Sequence, residues 1–77
     1  MLKIQTDLAA IVLDETVALV ERWYNREERA WVIQLKNAAG FQVGESEYVS
    51  ADNGGKAIAK HRAEELAAQY GVPSRKS

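Results

Sequence analysis

Two stretches of alternating side chains, separated by five polar residues, constrain this chain more than any other feature. From Thr16 to Tyr24, Val17, Leu19, Glu21 and Trp23 point one way, and Ala18, Val20, Arg22 and Tyr24 the other. From Ala30 to Lys36 the alternation returns, with Trp31, Ile33 and Leu35 on one face. Period two with β-branched and aromatic residues is the pattern of a half-buried strand. Asn25 to Arg29 is wholly polar and reads as a hairpin loop. Pairing Tyr24 with Ala30 sets Trp23 opposite Trp31 and Leu19 opposite Leu35. That register gathers the large apolar residues of both strands on one face, with Glu21 the exception. An aromatic cross-strand pair there contributes about 0.2–1 kcal/mol.

Asn37-Ala38-Ala39-Gly40 reads as the next turn, with Gly40 at a position that needs positive φ. Phe41 to Ser50 follows as a third strand, its regular part ending at Val49, and Gly44 marks a bulge where its alternation slips. From Gly55 the period turns helical. Ala59, Ala63, Leu66 and Tyr70 form one stripe, flanked by Ala67. Gly71 serves as a C-cap and Pro73 as a stop. Small alanines let this helix approach a sheet closely, and Leu66 and Tyr70 would anchor its far end. Ser74 to Ser77 reads as a frayed tail. Residues 1–15 fit a short helix through Leu8, Ile11, Val12 and Glu15, or a strand centred on Ile11-Val12-Leu13. The expected fold is α+β: a three-stranded antiparallel meander, a C-terminal helix packed across the tryptophan face, and a short N-terminal helix or a fourth strand. Val20, Tyr24, Ala30 and Val32 then form a second, rather apolar face. The N-terminal segment would cover it; a homodimer through Val20, Tyr24 and Val32 is the alternative.

At 77 residues this is one small globular domain, taken as 1–73. Hydrophobic residues reach 47%, which excludes a disordered chain, and twelve of them are alanines. No apolar run approaches the roughly 18 residues of a membrane helix, and no basic start leads into a signal core. A cytoplasmic protein without membrane association is expected. The absence of cysteine excludes disulfides and thiolate metal sites. Residues 1–52 carry five Lys/Arg against nine Asp/Glu, and residues 53–77 five against two. The halves are thus −4 and +3, within a total of −1. That balance excludes a nonspecific coat on nucleic acid but permits a local basic patch.

The candidate patch is Asn53-Gly54-Gly55-Lys56. A helix favours carboxylates in its first turn and cations in its last. Here Lys56, Lys60 and Arg62 come early, and Glu64 and Glu65 late. Basic residues at the positive end cost about 0.3–1 kcal/mol each when exposed, and a bound anion removes that cost. Free N–H groups, two glycines allowing close approach, and two lysines one turn apart suit a phosphate. The structural alternative is a Lys60–Glu64 pair on an alanine-rich helix capped by Asp52 or Asn53.

Val43-Gly44-Glu45-Ser46-Glu47, followed by Lys56-x-x-Ala59-Lys60-x-x-Ala63 after three antiparallel strands, resembles the double-stranded-RNA-binding domain. In that family the helix opens on Lys-Lys-x-Ala-Lys-x-x-Ala and touches phosphates across a groove. The resemblance implies phosphate contacts from Lys56 and Lys60 and places RNA ahead of DNA. It spans about a third of the chain. Ala57 stands at the middle lysine, and the loop Asn25 to Arg29 replaces the family's Gly-Pro-x-His element. The N-terminal segment is short for the family's first helix. The layout is also similar to the arm-type DNA-binding domains of phage integrases, which read DNA with the sheet; Arg22, Gln34 and Lys36 would serve there.

No catalytic set is present: one histidine, no cysteine and no nucleotide-binding glycine motif. His61 and Glu65 share a helical face but supply two ligands where a structural zinc needs four. Neither a cofactor nor a metal is expected. Two functions remain. One is a non-enzymatic nucleic-acid module using Asn53, Gly54, Gly55, Lys56 and Lys60. The other is a small acidic protein-interaction, inhibitor or adaptor module, of the kind phages and plasmids carry, acting through the sheet face or the acidic strand region.

Overall fold

The computed structural model describes residues 14–77. Apart from Asp14 and Glu15, the expected N-terminal helix or strand lies outside the described residues. The described elements are β1 (Leu19–Asn25), β2 (Ala30–Lys36), β3 (Gln42–Ser50), α1 (Gly55–Tyr70) and β4 (Ser74–Lys76). The sheet order is β3-β2-β1-β4, antiparallel except where β4 runs parallel to β1. The α+β class, the meander and the C-terminal helix agree with the sequence pattern.

The hairpin register does not. Asn25 pairs with Ala30, Tyr24 with Trp31 and Trp23 with Val32, one residue away from the expected pairing. The loop is four residues, because Asn25 stays in the strand. Its side-chain oxygen accepts the Glu28 N–H at 3.1 Å, and Arg29 turns the chain back at φ 51°. A one-residue slip sends alternate side chains to opposite faces. The two tryptophans therefore lie on opposite sides of the sheet. Val20, Tyr24, Trp31 and Ile33 share the helix side, and Trp23 and Val32 the other.

This corrects the proposed dimer surface. Val20 is fully buried in the core formed by Trp31, Ile33, Ala59, Ala63 and Leu66, while Val32 is buried from the opposite side. Val20, Tyr24 and Val32 do not form one surface.

The other turns follow the sequence. Gly40 closes its turn at φ 89°, and the buried Asn37 side chain accepts the N–H groups of Ala39 and Phe41. Gly44, at φ 71°, accompanies a register shift opposite Ile33–Leu35. There Gln34 donates to Gln42 and Ser46, so the bulge is held by side-chain amides.

Along α1 the buried residues are Gly55, Ala59, Ala63 and Leu66. Tyr70 is exposed, so it does not anchor the helix end as expected. That work falls to the residues beyond it. Gly71, at φ 65°, donates to Ala68, and the Val72 N–H reaches Ala67 at 3.0 Å. This left-handed cap satisfies the last carbonyls and returns Val72 to the core.

Residues 74–77 are not a frayed tail. After Pro73 accepts the Val20 N–H at 3.0 Å, Ser74–Lys76 pairs with Val20–Arg22, and Ser77 donates to Arg22. The strand is fixed by a charge that looked misplaced. Glu21, only 5% exposed, accepts from Arg75 and Ser77 and pairs with Lys36. These partners, Lys36 first, hold its carboxyl at about 2.

Candidate nucleic-acid interface

The β3–α1 loop reverses the chain through two left-handed residues, Asn53 at φ 55° and Gly54 at φ 79°. Gly54 is the N-cap, and no side chain among the described residues caps the helix. Asp52 and Asn53 do not take the capping role expected of them. The first turn of α1 holds no acidic residue. Among the described residues, no first-turn carboxylate and no capping side chain meets its partial positive charge.

The five candidate residues divide in two. Gly55 is buried, and a Cβ on it would lie 1.8 Å from the Ser50 carbonyl oxygen. The close approach this glycine permits is therefore between α1 and the end of β3. Asn53 and Gly54 form the exposed turn. Lys56 and Lys60 are exposed, and neither forms an ion pair among the described residues. The expected Lys60–Glu64 pair is not formed.

Other cations are committed. Arg62 grips Glu47 through two bonds of 2.9 Å and also meets Glu65. These bonds raise the guanidinium above its ordinary value and lower the Glu47 carboxyl. Lys36 and Arg75 are held by Glu21. Among the described residues, the cations without ion pairs are Arg22, Arg26, Arg29, Lys56, Lys60 and Lys76. Arg26 and Arg29 lie on the hairpin loop, Lys56 and Lys60 on the first two turns of α1, and Arg22 and Lys76 pair midway along β1. The Ala51 N–H donates to the Arg29 carbonyl at 3.0 Å, which brings the hairpin loop beside the loop entering α1. Glu27, Glu28 and Asp52 lie on the same two loops and temper the field there.

Sequence reasoning missed two groups. Tyr24, 41% exposed, packs against the Trp31 ring at 5.5 Å. Lys76 lies over the same ring, 5.5 Å from its centre. The mistaken register hid the first, and the assumption of a loose tail hid the second. The sheet face suggested by the integrase-like layout is also divided, since Arg22 lies on the helix side and Gln34 and Lys36 on the other.

His61 and Glu65 approach to 3.6 Å, both exposed, and no group of three metal-ligating side chains occurs among the described residues. No described helix is long and apolar enough to cross a membrane. In comparisons with known proteins, no family model, curated protein or solved structure matches this chain.

Proposed function

We propose that this protein is a non-enzymatic, cytoplasmic module that contacts nucleic-acid phosphates through Asn53, Gly54, Lys56 and Lys60, with RNA ahead of DNA. The observation that carries the reading is selective pairing. Arg62, Arg75 and Lys36 are neutralised by carboxylates, whereas among the described residues Lys56 and Lys60 form no ion pair and no side chain caps the helix N-terminus beside them. An anion there offsets both the dipole and the lysine charges. Gly55 contributes by bringing the first turn of α1 against Ser50, and so by placing the two lysines.

The chain is acidic overall, so contact is local and weak. Two to four phosphates give a salt slope of roughly 0.9 per phosphate on a duplex. An NMR titration with short duplex RNA, duplex DNA and single strands tests the reading. The amides of Gly54 to Lys60 are expected to shift, the shifts to shrink with salt, and a folded Lys56→Glu/Lys60→Glu variant to lose them. No shift with any of these at low salt would return the case to a protein-interaction module.

A further inference from the structure

The flank of α1 that carries Lys56 and Lys60 can be assigned. Successive helical residues are about 100° apart around the axis. Taking Ala59 as the centre of the buried stripe, Arg62 lies about 60° to one side, and Lys56 and Lys60 about 60° and 100° to the other. Arg62 reaches Glu47, which fixes its flank toward the β3 edge of the sheet. Lys56 and Lys60 therefore face the β1 and β4 side.

That side of the sheet holds an aromatic surface. Tyr24 and Trp31 are cross-strand partners with ring centres 5.5 Å apart, on the face covered by α1. Trp31 is almost completely buried, whereas Tyr24 keeps 41% of its surface in solvent. The Lys76 ammonium lies over the same Trp31 ring, 5.5 Å from its centre, and reaches it from β4, beside β1. A buried indole thus packs against an exposed phenol ring, with Lys76 over the indole and Lys56 and Lys60 on the flank of α1 turned toward the β1 and β4 side.

We infer that Tyr24, backed by Trp31, is a stacking platform for an unpaired base, and that Lys56, Lys60 and Lys76 hold the flanking phosphates of a single strand. The inference rests on the nucleic-acid reading above and narrows it to single-stranded nucleic acid. Within a duplex the stacked neighbours cover the base faces and leave only the terminal pair open, whereas every unpaired base offers a face to an aromatic ring. Base–aromatic stacking tolerates sequence because all bases have a π-face. Lysines that meet only phosphates would not distinguish strand types; an exposed ring beside them does.

The test is fluorescence anisotropy at low salt with labelled oligo-U and oligo-dT of twelve nucleotides, and with a blunt duplex RNA. Single strands are expected to bind at least about tenfold more tightly than the duplex, as one stacked base would give. Tyr24→Leu keeps bulk and apolar packing but removes the stacking ring. It is expected to lose about tenfold for the single strands and nothing for the duplex, while Tyr24→Phe retains binding. Lys76→Glu is expected to weaken the single strands as well. Equal binding of duplex and single strands, unchanged by Tyr24→Leu, would overturn the stacking platform and leave the phosphate reading intact. No binding of any probe, by a protein whose melting curve shows it folded, would overturn both. If Tyr24→Leu proves unfolded, the ring resonances of Tyr24 in the parent protein decide: an upfield shift on adding oligo-U supports stacking, and none refutes it.

Discussion

Single residues carry much of the geometry, and the sequence showed some of them without showing their use. Gly55 stands out in the sequence beside Gly54, yet its role is internal. A Cβ at 1.8 Å from the Ser50 carbonyl forces backbone movement. Gly55→Ala is expected to lose about 1–3 kcal/mol or more, as overpacking does, in a urea denaturation series. Gly54→Ala meets open space and carries only the penalty of its positive φ, so it should cost less. Ser74 offers the opposite sign. Its hydroxyl is buried without a hydrogen-bond partner among the described residues, and Ser74→Ala removes that unsatisfied group. The variant is expected to be as stable as the parent or up to about 1 kcal/mol more stable by thermal unfolding. Neither effect was legible beforehand, because one depends on the Ser50 carbonyl that the fold sets against Gly55 and the other on the burial of the Ser74 hydroxyl.

At the scale of elements, period and punctuation were informative. The helix runs from Gly55 to Tyr70, the span its alanine stripe and Gly71 indicate, and the second strand is Ala30–Lys36 as its alternation indicates. Register was not legible in the same way. Whether Tyr24 or Asn25 closes the hairpin depends on the Asn25–Glu28 bond and the left-handed Arg29, and alternation alone is satisfied by either choice. The two tryptophans provide the test. Trp31 is 8% exposed in the helix-side core, and Trp31→Ala is expected to cost about 3–5 kcal/mol. Trp23 faces the other way and is only partly buried. Trp23→Ala should cost clearly less in the same denaturation experiment. Equal losses would contradict the register. The same one-residue shift brings Tyr24 onto Trp31, so the register also determines whether the proposed platform exists.

Across the whole molecule, charge placement joins stability to the proposed site. Glu21 breaks the apolar pattern of β1 and gave no hint of a partner, because its partner strand was read as a loose tail. In the fold it ties β1 to Lys36 on β2 and to Arg75 and Ser77 at the C-terminal end. Those bonds lower its carboxyl from the ordinary 4.5 to about 2. A lowered carboxylate pKa adds stability that is fully present above the unfolded value and is lost as pH falls through the folded one. Stability should therefore decline between about pH 4.5 and 2, with Glu47, lowered by Arg62, adding in the same direction. Glu21→Gln cannot be protonated in this range and keeps the side-chain size. It is expected to be less stable than the parent at pH 7 by about 1–3 kcal/mol, because Lys36 and Arg75 lose their anion. It is also expected to show a flatter acid limb in urea midpoints measured from pH 7 to 2. Parallel limbs for the two proteins would mean that Glu21 has no special hold on β4. The consequence reaches the other side of the sheet. Lys76 is carried on the strand that Glu21 secures, one residue beyond Arg75. Loosening that strand should release Lys76 from the Trp31 ring and broaden the Trp31 indole N–H resonance in Glu21→Gln at neutral pH, while the Trp23 indole is less affected.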